Sequence, residues 1–145
     1  MNKYDIIGEL NRSATERGWA FLAGDNFYQN IEATVQDINA GQLVLTGEFT
    51  SQPTFNLSMV TSVRYIGAMA LGRKTDEDGQ DASLDEDFLD KYYRRLYELM
   101  QMLSNYIGQF ACDNGLEVIS CELVNSINTF DTNIDFVIAN VTFEQ

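Results

Sequence analysis

At 145 residues the chain sits near the commonest size for a single domain, and a chain of that length buries about 68 to 70% of its unfolded surface. Hydrophobic residues make up 45% of it and proline occurs once, which excludes the low-hydrophobicity regime of chains that stay disordered. Twenty-two acidic residues against nine basic ones give a formal net charge of −13, a field that repels polyphosphate and anionic membranes and argues against sequence-specific nucleic-acid binding.

The first helix is predicted over residues 3 to 17. Ile6, Ile7, Leu10 and Ala14 recur at helical spacing, and Gly18 stands just beyond the end. Trp19 to Leu22 begins an extended region. Phe27 to Ile38 continues it as a half-buried strand, with Ile31, Ala33 and Val35 alternating against polar neighbours. Asn39-Ala40-Gly41 supplies turn residues that tolerate positive φ, and Leu43, Leu45 and Phe49 then resume a two-residue period, so a β-hairpin is expected here.

Thr50 to Thr54 contains the proline and breaks the pattern. Beyond it Phe55, Leu57, Met59, Val63, Tyr65, Met69 and Leu71 fall on one side of a long third strand, Phe55 to Leu71, that bends near Gly67. Such a strand spans roughly 55 Å, so either part of it projects from a domain of this size or it bends back on its own sheet. Residues 72 to 83 are polar and acidic and read as a flexible loop.

Ser83-Leu84-Asp85-Glu86 is a capping box that opens a long helix. Leu89, Tyr92, Tyr93, Leu96, Leu99, Met100, Leu103, Tyr106, Ile107 and Phe110 form its apolar stripe, and Asn114-Gly115 ends it. Leu116 to Val124 and Ile134 to Phe143 read as two last strands, joined by the polar stretch Asn125 to Asn133. The expected fold class is therefore α+β. A short N-terminal helix precedes an antiparallel β-meander with a long hairpin, one long helix packs on the sheet, and two C-terminal strands follow, all within a single domain over 1–145.

Chemistry is hard to find. With no histidine, the Ser-His and Cys-His solutions for nucleophilic catalysis are excluded. Cys112 and Cys121 lie nine apart without a Cys-x-x-Cys pair, which predicts neither a zinc site nor a disulfide framework. No glycine-rich phosphate cradle occurs. Asp76-Glu77-Asp78-Gly79 has the acidity of a calcium loop, but aligning Gly79 with the loop glycine puts Lys74 at the first ligand position. In Asp131-Thr132-Asn133-Ile134-Asp135 the required glycine is replaced by Phe136, and Asp131 with Asp135 reads as turn chemistry rather than an acid-base pair. Tyr92, Tyr93, Tyr97 and Tyr106 beside Arg94 and Arg95 could stack on bases, yet core packing explains Tyr92 and Tyr106 and the acidity opposes an anionic ligand. The expectation is a non-enzyme with no cofactor and no metal. Met1 to Gly18 lacks the apolar core of a signal peptide and no run of ~18 apolar residues exists, so a cytoplasmic protein with reduced thiols is expected.

The order of elements, with Asn128-Thr129-Phe130-Asp131-Thr132-Asn133-Ile134-Asp135-Phe136 near the close, resembles the small tail-terminator and tail-completion (neck) proteins of long-tailed bacteriophages and prophages. In that architecture Asp5 to Arg17 would be the first helix, Trp19 to Leu71 the meander with its projecting hairpin, Ser83 to Asn114 the long helix and Leu116 to Phe143 the closing strands. The resemblance implies a structural virion protein made in the host cytoplasm. It implies assembly into a ring, often hexameric, that joins head and tail through contacts with tail-tube or connector proteins. The runner-up reading is a small acidic inhibitor, either a DNA mimic or a toxin-neutralising protein. For self-assembly the candidate contact residues are Thr61, Arg64, Arg73, Lys74, Asp76, Asp78 and Asp81, from the long strand and the arm after it.

Overall fold

The computed structural model describes residues 3–23, 42–74, 88–126 and 134–145. Helix α1 (Lys3–Glu16) is followed by strands β1 (Ala20–Ala23), β2 (Leu43–Asn56) and β3 (Met59–Lys74), helix α2 (Phe88–Asp113), and strands β4 (Glu117–Ser126) and β5 (Ile134–Glu144). The strands form one sheet in the order β1-β2-β3-β5-β4, and both helices pack on the same face of it, which is the expected α+β class. The anticipated strand Phe27 to Ile38, the turn at Asn39-Ala40-Gly41 and the capping box Ser83 to Glu86 lie outside the described residues.

Both helices stop by the same device. Gly18 and Gly115 take positive φ (75° and 65°), the conformation that an L side chain resists. After α1 the Gly18 N–H donates to Thr15 and the Trp19 N–H to Ala14. After α2 the Gly115 N–H donates to Cys112 and the Leu116 N–H to Ala111. These paired bonds satisfy the last carbonyls and deliver Trp19 and the buried Leu116 back onto the core, which is how each helix hands its chain to the sheet.

The covered face is built from alternate strand positions. Leu45 and Phe49 of β2, Tyr65, Met69 and Leu71 of β3, and Val137, Ala139, Val141 and Phe143 of β5 point to the helices. They meet Ile6, Leu10 and Ala14 of α1 and Leu96, Leu99, Leu103, Tyr106, Ile107 and Phe110 of α2, the stripe that the helical spacing predicts. Gly47 lets α1 come close, since a Cβ there would stand 2.9 Å from Leu10 Cδ1. Behind the sheet, Leu22, Val44, Ala70 and Phe136 form a second, smaller cluster.

Two expectations are corrected. The sheet is mixed rather than wholly antiparallel: β1 runs parallel to β2, from Ala20 opposite Val44 to Ala23 opposite Gly47, while the other pairs are antiparallel. The stretch between Ala23 and Leu43 exceeds the dozen or so residues that a parallel return requires.

Thr50 to Thr54 is not a break either. β2 runs through it, with Pro53 in register opposite Val63, and the reversal comes at Leu57-Ser58. Proline is tolerated there because, among the described residues, this part of β2 pairs with β3 on one side and with no strand on the other. Phe55 therefore belongs to β2 and Met59 to β3, and the apparent single strand from Phe55 to Leu71 is the tip and one arm of a hairpin. Period two continued through the turn because Phe55, Leu57 and Met59 happen to keep the alternation. The register slips once, between Thr54 and Phe55.

Leu96 and Leu103 are almost wholly buried, so Leu96→Ala or Leu103→Ala should lower unfolding free energy by ~2 to 5 kcal/mol; chemical denaturation measures it, and unchanged midpoints would show that α2 is not the spine. Gly67 is the closest approach in the sheet, where an added Cβ would lie 1.9 Å from the Glu48 carbonyl oxygen and 2.8 Å from Phe49 Cα. Because backbone would have to move, Gly67→Ala is expected to cost about 3 kcal/mol in the same measurement.

Candidate assembly surface

β3 pairs with β5 only from Lys74 to Arg64, and the last contact of the C-terminal strand is the reciprocal pair of backbone bonds between Val63 and Gln145. Beyond that point β2 and β3 continue as a two-stranded ribbon that reaches roughly 13 Å past the rest of the sheet. The Arg64 Nε donates to Glu144 Oε2 at 2.8 Å and ties the base of the ribbon to β5. With half of Arg64 exposed, that ion pair is worth no more than about 1 kcal/mol.

The ribbon ends in large apolar side chains in water. Phe55 is 62% exposed, Leu57 92%, Met59 71% and Val60 53%. Single exposed apolar residues are ordinary, but neighbouring ones at the end of a projection mark a contact surface. The turn adds to this. Leu57 and Ser58 hold φ of 50° and 69°, and positive φ at both central positions is the geometry that Asn-Gly fits with least strain. A leucine kept in that conformation, and almost fully exposed, does nothing for the core of its own chain.

Charge sets the ribbon apart. From Phe49 to Val63 no residue is charged, the longest such run in a chain of which 21% is charged. Sequence reading put Phe55, Leu57 and Met59 on one side of a single long strand expected to project in part, and did not single them out as the tip; the missing charge was the signal that could have found it.

A second exposed strip lies on the edge strand β4, where Val118 is 38%, Ile119 42% and Val124 42% exposed. Between β2 and β4, on the face away from the helices, Glu48, Thr50, Ile66, Asn140, Thr142 and Glu122 border a shallow trough of about 570 Å³. Cys121 adjoins it and is exposed; partial desolvation pushes its thiol above the ordinary value. Both cysteines are free. Among the described residues no group of three or more His, Cys, Asp or Glu could hold a metal ion, and no helix is long and apolar enough to cross a membrane.

The anticipated contact residues are divided. Thr61 lies on the exposed ribbon, its hydroxyl donating to the Thr54 carbonyl at 3.1 Å, and Arg64 is at the ribbon's base. Arg73 and Lys74 occupy the far end of β3, roughly 30 Å from Arg64 along the strand, paired in register with Asp135 and Ile134. There the Arg73 guanidinium rests against the Met102 sulfur, at 4.0 Å, and is half-buried. Asp76, Asp78 and Asp81 lie outside the described residues, as do Asp131 and most of the 72–83 loop. Of the tyrosines, Tyr106 is buried under Trp19 and Tyr97 is exposed.

If the turn is kept for contact rather than stability, relieving its backbone should help the isolated domain. Leu57→Asn with Ser58→Gly is expected to raise the unfolding free energy by about 1 kcal/mol. A lowered melting temperature would show that Leu57 contributes to the fold.

Compared with known proteins, the chain matches no protein-family model, and no curated protein matches it.

Proposed function

We propose that the protein is a non-catalytic structural component that acts by assembling with copies of itself and with other proteins, as a tail terminator or head-tail joining protein of a phage-type virion does. One observation carries this reading: in a chain of charge −13, the longest uncharged run forms a ribbon that projects from the sheet and ends in exposed Phe55, Leu57, Met59 and Val60. Mutual repulsion keeps strongly acidic copies apart except where they meet through surface without charge. The ribbon is that surface. A closed ring is the assembly that the resemblance implies, and a ring with a negative lumen lets DNA pass without holding its phosphates. The acidic-inhibitor reading draws no comparable support, because the feature that stands out from the body is the one that carries no charge.

Light scattering across micromolar concentrations tests the proposal. The wild-type chain is expected to form a homo-oligomer whose mass falls to that of one chain in Leu57→Asp, with the circular dichroism spectrum unchanged. A wild-type chain that stays monomeric at every concentration overturns it.

A further inference from the structure

We infer that the outer edge of β4 is the acceptor for the ribbon of a second copy, so that copies join head to tail. This rests on the assembly proposed above and names its second half.

Among the described residues β4 is ten residues long and ends the sheet, and at the opposite edge the described part of β1 has four. An edge strand exposes a row of unused N–H and C=O groups, and chains that keep such edges inert place lysine or proline in them. Glu117 to Ser126 contains neither. Its exposed apolar side chains, Val118, Ile119 and Val124, match those of the ribbon tip in kind. The ladder with β5 slips between Val118 and Ser120, leaving Ile119 without a partner in the register.

The ribbon has the complementary edge. The described part of β1 reaches Gly47, and among the described residues β2 from Glu48 to Asn56 has β3 on one side and no strand on the other. A copy cannot satisfy itself, because β5 separates β3 from β4 and the ribbon points along the strands, away from the edge. Two β4 edges meeting each other would bring Glu117 and Glu122 of both copies into one ladder between bodies that each carry −13. A ribbon without charge adds no such repulsion. The ribbon of a second copy is therefore the occupant that the charges favour, through main-chain bonds for affinity and apolar pairs for specificity. An interface between two different patches propagates from copy to copy and closes into a ring when the rotation allows.

Complementation tests this. Leu57→Asp spoils the ribbon and leaves β4 intact; Ile119→Lys spoils β4 and leaves the ribbon intact, with Val124→Lys as a second variant should the first fold poorly. By sedimentation velocity each variant alone is expected to run as a monomer, and an equimolar mixture is expected to recover a species of twice the monomer mass, since one good interface remains between them. A β4 variant that assembles like the wild type overturns the inference, as does a mixture that stays monomeric while the wild type assembles. A wild-type monomer would instead bring down the assembly proposal itself.

Discussion

A chain of five aromatic rings joins the helices to the sheet, and the placement of every other element follows from it. Trp19, delivered by the end of α1, packs on Tyr106 of α2 at 5.3 Å between ring centroids; Tyr106 lies against Phe110 at 5.9 Å; Phe110 meets Phe143 of β5 at 5.8 Å; and Phe143 meets Phe49 of β2 at 5.8 Å. These offset and tilted contacts each add about 0.5 to 1.5 kcal/mol to the burial of the rings. The Arg17 guanidinium stands 5.3 Å from the Trp19 ring and 5.0 Å from that of Tyr106, closing the outer end of the row. Burial also pushes the Tyr106 phenol above its ordinary value, as a neutral hydroxyl is the form that such a site tolerates.

This row runs from α1 across α2 to β5 and on to β2, so the last strand of the chain must enter the middle of the sheet before the core is complete. β5 then separates β3 from β4 and makes β4 the edge. Its described pairing with β3 reaches Val63, and the ribbon lies beyond that pairing. The projecting hairpin and the open edge are thus two results of one placement. The part of β2 and β3 that has side chains for the core is covered by helices, while the part beyond Gln145 carries its apolar residues into water.

That division shapes the functional argument. The covered face is close-packed and accounts for the long runs of apolar residues, whereas the ribbon tip and the β4 strip have apolar residues that the fold does not use. Charge sharpens the contrast for the ribbon: in a chain of net charge −13, Phe49 to Val63 carries no charged residue, whereas β4 bears Glu117 and Glu122.

Helical spacing, glycine stops and alternation made both helices, the strands β4 and β5 and most of the core legible from the residues alone, because each depends on neighbours within a few positions in the chain. Gly18 and Gly115 are clear examples, each standing two residues past the last helical residue. The absence of histidine, and of any phosphate cradle, was equally plain. The position of the hairpin turn was not, since Leu57-Ser58 has no glycine or asparagine at its centre and the alternation of Phe55, Leu57 and Met59 ran through it. Nor was the parallel pairing of β1 or the insertion of β5 between β3 and β4. Those are decided by contacts between segments far apart in sequence, where local preference carries no information and the packing of the aromatic row selects the order of the strands.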